Sequence, residues 1–173
     1  YFASILGAEQ YGEVSYFISI AVIASTISFL GLGNAIIIYT AKGEKIQPPT
    51  FVIGIVASII SLIAVFLIFS QIGVSLYVLG YVIFALATAE ILGRKQFRSY
   101  ANYLITQKIL MVVFALFFYY FLGLEGVILG IGLSFFPYVV RIYKSLKNDK
   151  INFSLIRPRI GFIVNSYVLD LSR

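Results

Sequence analysis

Lys108 is the side chain with the clearest potential for chemistry, because it is a cation within an otherwise apolar stretch. Ionisable residues inside a membrane-spanning helix are costly and by default mark a functional site. The stretch begins near Asn102, which places Lys108 about 9 Å along the helix axis at about 1.5 Å per residue. Lys108 then either faces an anionic pyrophosphate or acidic sugar in a cavity, or lays its stem along lipid so that the ammonium reaches the interface.

Glu90 and Arg94 form a second polar pair, near the end of another apolar stretch. On a helix their i,i+4 spacing allows an ion pair that stabilises by roughly 0.2–0.5 kcal/mol when exposed. Glu90 is therefore either a gating or proton-coupling carboxylate, or one half of a plain interfacial ion pair, which is the simpler interpretation.

Two further polar residues lie at helix interruptions. Asn34 follows Gly31-Leu32-Gly33 and either contacts a headgroup sugar or caps the break there, and we favour the cap. Asp170 lies about one turn before Arg173 and, in a completed helix, would face a cavity. We name Lys108, Arg94 and Asn34 as candidate substrate-binding residues, and Glu90 and Asp170 as candidate gating or coupling residues.

The sequence contains neither Cys nor His. This composition excludes disulfides, thiol chemistry and zinc sites with Cys or His ligands. We predict no catalytic residue, no metal site, no cofactor and no enzyme activity.

The elements that position these residues are membrane-spanning helices. The chain is 61% hydrophobic and only 12% charged, and its mean hydropathy is +1.00. The apolar runs do not alternate, as the strands of a β-barrel would. Because backbone groups in lipid must be satisfied internally, we predict an all-α, polytopic transmembrane bundle.

We expect about five complete spans plus a partial first and a partial seventh helix, since about 20 apolar residues cross a bilayer. Residues 1–150 form a first bundle, and residues 151–173 form a cytoplasmic linker and the start of helix 7. Because the chain begins at Tyr1 and ends within an apolar segment, we expect a fragment of a longer protein. The complete spans are predicted at residues 13–39, 51–72, 76–92, 102–122 and 127–143, with partial helices at 1–6 and 160–171.

The charges alternate consistently with these spans. The net charge of +6 comes from basic residues at helix ends, so it indicates membrane topology and not a nucleic-acid partner. Positive loops stay in the cytoplasm, which predicts a multi-pass protein of the cytoplasmic membrane with its basic loops inside. The inner side carries Lys42, Lys45, Arg94, Lys95, Arg98, Lys144, Lys147, Lys150, Arg157 and Arg159, and the outer side carries Glu9, Glu13 and Glu125.

Glycine, proline and aromatic residues predict local packing. Gly126 and Gly130 form a GxxxG pattern, which favours close helix–helix contact. Pro137 should kink the span that contains it. The aromatic run at residues 114–121 either stacks on sugars or, more simply, forms an aromatic belt at the interface.

Several motifs, in order and at their spacing, resemble the polysaccharide and oligosaccharide flippases of the Wzx type, within the superfamily of multidrug, oligosaccharidyl-lipid and polysaccharide exporters. The resemblance covers nearly the whole chain. It is carried by Leu6-Gly7-x-x-x-Tyr11-Gly12, Gly31-Leu32-Gly33-Asn34-Ala35, the basic loop at residues 93–100, and Gly123-Leu124-Glu125-Gly126-Val127.

This resemblance implies about twelve to fourteen helices in two pseudo-symmetric bundles around a central cavity that works by alternating access. The chain would hold most of the first bundle. The implied function is translocation of a lipid-linked oligosaccharide or polysaccharide repeat unit during polysaccharide biosynthesis. The implied partners are that lipid-linked glycan, membrane lipids and the polysaccharide assembly machinery.

Three other functions remain open. An ion-coupled drug exporter of the same superfamily would need a buried acid in mid-helix, whereas Glu90 lies near the inner end. A membrane-embedded glycan-modifying enzyme would need a cluster of Asp, Glu, His or Arg in a large outer loop, and the predicted outer loops are only turns. A structural membrane-interaction module is the fourth possibility.

Overall fold

The structure is a computed structural model that describes residues 7–171, with side chains described through Val168. Every regular element in this range is helical, as the sequence predicts. The helices are α1 (Ala8–Phe29), α2 (Leu32–Ala41), α3 (Gln47–Phe69), α4 (Ile72–Gly93), α5 (Phe97–Leu133), α6 (Val139–Asn148) and α7 (Ile160–Leu171), with 3-10 turns at Phe136–Tyr138, Phe153–Leu155 and Arg157–Arg159.

Four stretches of the described chain are long and apolar enough to cross a membrane. They are Ala8–Phe29, Gln47–Phe69, Ile72–Gly93 and Phe97–Asn148. The chain is therefore built from helices of membrane-spanning length, and the last stretch is longer than one crossing requires because it folds back on itself.

α5 reverses direction at Gly123, whose backbone has φ 60° and ψ −136°. A Cβ on Gly126 would collide with the carbonyl of Phe118, and one on Gly130 would lie 2.5 Å from the backbone of Phe114. The two arms, residues 97–122 and 124–133, therefore pack antiparallel with their backbones in close contact. This confirms the turn and the close packing of the GxxxG pattern, and it shows that both belong to one hairpin.

The predicted helix at residues 13–39 is wrong as a continuous element. Leu30 and Gly31 both adopt the left-handed conformation, with φ 53° and 65°, and divide the run into α1 and α2. A Cβ on Gly31 would lie 2.5 Å from the backbone nitrogen of Tyr167 in α7. The break persists because α7 packs directly on the bare glycine backbone, a contact that apolar composition does not reveal.

α4 is the central helix of the bundle, and both buried apolar clusters include its residues. Its small residues admit the second arm of α5. A Cβ on Gly80 would lie 2.7 Å from the carbonyl oxygen of Gly132, and one on Gly73 would lie 2.9 Å from the nitrogen of Leu129. The contacts advance together along both chains, so α4 and the 124–133 arm run parallel.

The basic loops meet at one end of the bundle, which we call the basic end. Lys45 pairs with Asp149 at 2.5 Å, and Arg159 pairs with Glu44. At the opposite end the Gln71 side chain donates a hydrogen bond of 3.5 Å to Glu125. The structure thus gathers the cationic connectors on one side, as the alternation of spans predicts.

The predicted span at residues 127–143 is interrupted. The second arm of α5 ends at Leu133, a single 3-10 turn contains Pro137, and α6 begins at Val139. This confirms the disruption expected at Pro137, which has no amide proton for a helical hydrogen bond.

α7 packs on α2, where the rings of Phe162 and Tyr39 meet edge to face at 5.8 Å. The division of the chain at residue 150, with α7 as part of a second bundle, stays a prediction.

Candidate functional site: a cleft at Lys108

Lys108 lies deeper in its helix than the sequence suggests. The helix begins at Phe97, not near Asn102, because residues 97–101 continue the helical turns into the basic loop. Lys108 is therefore about 16 Å along the axis at about 1.5 Å per residue. Its distance from the start of the helix is therefore greater than the predicted value of about 9 Å.

Lys108 borders a cleft of about 460 Å³ between α1, α4 and both arms of α5, which we call the Lys108 cleft. α1 forms one wall and the first arm of α5, with Lys108 and Met111, forms another. Within the described residues Lys108 has no ion-pair partner. The complete lining is Tyr11, Val14, Ser15, Ile18, Ser19, Tyr77, Lys108, Met111, Val127 and Ile131.

The polar side of the Lys108 cleft is a row of hydroxyl groups on α1. Tyr11, Ser15 and Ser19 are spaced by one helical turn and lie on one face. The Ser15 hydroxyl donates to the carbonyl of Tyr11 at 2.8 Å, and the Ser19 hydroxyl donates to the carbonyl of Ser15 at 2.8 Å. Their protons are thus used within the helix, whereas their oxygens still have lone pairs that can accept hydrogen bonds. The wall is suited to accept from the hydroxyl groups of a sugar.

Glu90 occupies a different place, at the basic end. Its side chain is only 3% exposed and accepts from Arg94 Nε at 2.8 Å and from Arg141 Nε at 3.0 Å. Arg141 also donates to the side-chain oxygen Oε1 of Gln96 at 3.4 Å. The structure therefore brings together Glu90 and Arg94, as their spacing predicts, and adds Arg141. We call these residues the Glu90 cluster.

Asn34 joins neither the Lys108 cleft nor the Glu90 cluster. Asn34 is the third residue of α2, is exposed, and lines a separate groove of about 230 Å³ with Thr88 and Tyr100. Gly31 occupies the N-cap position of α2. The side chain of Asp170 lies outside the described residues.

Sequence reasoning missed the hydroxyl wall of the Lys108 cleft and the second arginine of the Glu90 cluster. The i, i+4, i+8 spacing of Tyr11, Ser15 and Ser19 was a usable signal for the wall. No local signal connects Arg141 with Glu90, because they lie on different helices.

The Lys108 cleft offers one cation and several hydroxyl acceptors, which are groups that can bind an anionic ligand bearing hydroxyls. No group of three or more Asp, Glu, His or Cys residues in the described chain has the geometry to hold a metal ion. Comparison of the chain with known protein families, with curated proteins and with solved structures gave no match.

Proposed function

We propose that this chain forms the first bundle of a flippase that translocates a lipid-linked oligosaccharide or polysaccharide repeat unit. The observation that carries the proposal is Lys108 beside a hydroxyl-lined cleft, without an ion-pair partner among the described residues. An amphiphile with an anionic linkage and a glycan offers complementary groups, since the ammonium attracts the phosphate and the wall accepts from the sugar.

The physical need for such a cleft follows from the cost of moving polar groups through hydrocarbon. Each hydroxyl transferred without a hydrogen-bond partner costs about 2–7 kcal/mol, depending on the reference state. A glycan carries many hydroxyl groups, so its uncatalysed passage is prohibitively slow. A cleft that supplies acceptors and one cation lowers this barrier, whereas an entirely apolar bundle does not.

We further propose that the chain crosses the membrane five times, with the basic end in the cytoplasm. The five proposed crossings run in alternating directions. The first is the broken pair of α1 and α2, and it is followed by α3, by α4, by the 97–122 arm, and by the segment from residue 124 through α6. The concentration of Lys and Arg at one end favours this orientation, because such residues are retained on the cytoplasmic side.

In this scheme the bundle would rock against a second one around a site near the midplane. The Glu90 cluster would join the inner end of α4 to the beginning of α6 during that motion. Its pairing disfavours the alternative of an ion-coupled exporter, because a carboxylate held by two arginines at the end of a helix is poorly placed to carry protons across the bilayer.

The test is a flipping assay in phosphatidylcholine vesicles that contain this bundle joined to the second bundle, with a dye-labelled oligosaccharide on a prenyl pyrophosphate as substrate. This bundle alone is expected not to translocate it. Quenching of the outer-leaflet dye measures translocation. We expect Lys108→Ala to lower the rate about tenfold, the loss expected for one charge-assisted contact of about 1.5 kcal/mol. Lys108→Arg should retain most of the rate.

The matched control is Lys147→Ala, which removes an exposed lysine at the basic end. It should leave the rate unchanged. Translocation that is equally fast with Lys108→Ala and with the unmodified protein would refute the assigned role of this lysine, and the absence of any translocation by the two bundles together would refute the flippase.

A further inference from the structure

Lys108 borders a second surface in addition to its cleft. A shallow apolar depression of about 530 Å³ lies on the outward face of the first arm of α5. Lys108 is the one residue that lines both this depression and the Lys108 cleft. The other lining residues of the depression are Leu104, Ile105, Ile109, Val112 and Val113.

The depression continues at Val113 into a groove of about 630 Å³ between the two arms of α5. Phe117 is 55% exposed on one side of this groove, and Pro137 lies on the other. The groove exists because the helix stops at Leu133 and resumes only at Val139, so that the turn at Phe136–Tyr138 leaves space beside the first arm. Its lining is Val113, Phe114, Phe117, Phe118, Leu133, Phe136 and Pro137.

Three environments therefore lie next to one another: the polar cleft, the cationic Lys108 and the apolar depression. The Lys108 cleft with its hydroxyls lies on one side of the ammonium, and the continuous apolar surface lies on the other. We call that surface, from Ile105 through Phe117 to Pro137, the tail groove. Lys108 is the one charged residue among those that line its two parts.

We propose that the tail groove binds the prenyl chain of a lipid-linked glycan whose phosphate sits at Lys108. This inference rests on the proposed function and deepens it, because it assigns a protein surface to the hydrocarbon part of the substrate. An amphiphile of this kind has the same order of groups as the surface: glycan, anionic phosphate and long hydrocarbon. The aromatic rings of Phe114, Phe117 and Phe118 provide a large apolar contact for the chain.

The rest of the bundle offers a natural comparison. Phe66 on α3 is 42% exposed and, like Phe117, lies near the end opposite the basic loops. It lines none of the cavities that contain Lys108. Ordinary bilayer lipid should cover Phe66 and Phe117 equally, whereas a prenyl chain anchored by Lys108 should cover Phe117 alone.

The experiment uses the absence of tryptophan from the sequence. Phe117→Trp places a fluorescent reporter in the tail groove, and Phe66→Trp is the matched control. Each variant is reconstituted in phosphatidylcholine vesicles that contain a small fraction of polyprenyl phosphate with a spin-label quencher in its chain. We expect quenching of Phe117→Trp to exceed that of Phe66→Trp about fivefold, equivalent to about 1 kcal/mol of local enrichment.

A second substitution tests the anchor. Adding Lys108→Ala to Phe117→Trp should reduce quenching to the level of Phe66→Trp, and Lys108→Arg should preserve the excess. Equal quenching of the two reporters, or an excess that survives Lys108→Ala, would overturn the proposal. If unlabelled phosphatidylglycerol removes the excess as effectively as unlabelled polyprenyl phosphate, the occupant is a phospholipid and the prenyl assignment is wrong.

This binding assay is independent of transport. Excess quenching without flipping would leave the tail groove in place and refute the flippase. Flipping that depends on Lys108, in the absence of excess quenching, would support the flippase and refute the tail groove. Each variant is first checked for a single detergent-solubilised species, and the conservative Lys108→Arg keeps the anchor testable if Lys108→Ala does not fold.

Discussion

Among the described side chains, the Glu90 cluster and Lys108 both place charge within the apolar bundle, and they differ in whether that charge is paired. Glu90 is buried and compensated by Arg94 and Arg141. Lys108 is exposed to a cleft, and no described carboxylate pairs with it. The first arrangement joins helices, because breaking it strands charges in a poorly solvated place. The second leaves a charge available to something that is not part of the chain.

Substitutions at the two sites can show by experiment which site contributes to stability and which to ligand binding. Substitutions in the Glu90 cluster should change the free energy of unfolding, whereas substitutions at Lys108 should change ligand binding and leave stability almost unaffected. The expected effects on stability decrease from Glu90 through Arg141 and Arg94 to Lys108.

Glu90→Gln should have the largest effect. It removes the carboxylate that compensates two guanidinium groups and leaves them close together at a partly buried site. Breaking a buried ion pair on one side costs about 3–5 kcal/mol, and we expect a value near the lower bound because Arg94 reaches solvent. The measurement is denaturant unfolding in detergent micelles followed by circular dichroism.

Glu125→Gln is the matched control for Glu90→Gln, because Glu125 is an exposed carboxylate at the opposite end of the bundle. It should change the free energy of unfolding by less than about 0.5 kcal/mol. Similar losses in both variants would show that the Glu90 cluster has no special role in holding the helices together.

Arg141→Gln should have the second largest effect. The Arg141 side chain is 24% exposed and is the only one of the cluster that reaches Glu90 from α6. Its loss leaves Glu90 with Arg94 as partner, so we expect about 2 kcal/mol, within the range for hydrogen bonds to charged groups. The same unfolding assay measures it. An effect as large as that of Glu90→Gln would mean that Arg94 contributes nothing.

The sequence predicted the contacts between residues that are close together in the chain, but it did not predict the tertiary contacts between distant residues. The i,i+4 spacing predicted the contact of Glu90 with Arg94, and the glycines predicted the reversal at Gly123. Both depend on residues close together in the chain. The contact of Glu90 with Arg141 depends on α4 running parallel to the segment that follows Gly123, and no local pattern encodes it.

The distance of Lys108 from the start of its helix was underestimated for a different reason. Residues 97–101 contain Arg98 and Ser99 and read as loop, yet the helix begins at Phe97. The end of the apolar run was taken as the end of the helix, although a helix can continue beyond it through good helix formers such as Arg98 and Ala101. A break was expected at Gly31-Leu32-Gly33, although residues 13–39 were still predicted as one span. Hydropathy continues across the break, and the contact of Gly31 with α7 cannot be read from the sequence.

Arg94→Ala should have a small effect, despite the short distance to Glu90. The Arg94 side chain is 41% exposed, so solvent screens its ion pair with Glu90. Its removal also loses little buried surface. Exposed ion pairs of this kind contribute about 0.2–1 kcal/mol. Unfolding measured at low and high salt checks this, and we expect the small difference to shrink further at high salt. A loss that exceeds the one from Arg141→Gln would reverse the order of the two arginines.

Lys108→Met should have the smallest effect on the free energy of unfolding, and the sign of that change is the most informative of the series. The substitution keeps an unbranched side chain and removes a charge from a helix of membrane-spanning length, where a lysine at the helix centre costs about 2.5–3.5 kcal/mol on insertion scales. The cleft is open, so most of that cost is already relieved by water, and we expect unfolding to be unchanged or slightly harder. The same variant should lose excess quenching of the Phe117→Trp reporter. A clear loss of stability would mean that the ammonium is a structural contact within the bundle, and then the contrast with Glu90, on which the assignment of a ligand to Lys108 depends, would disappear.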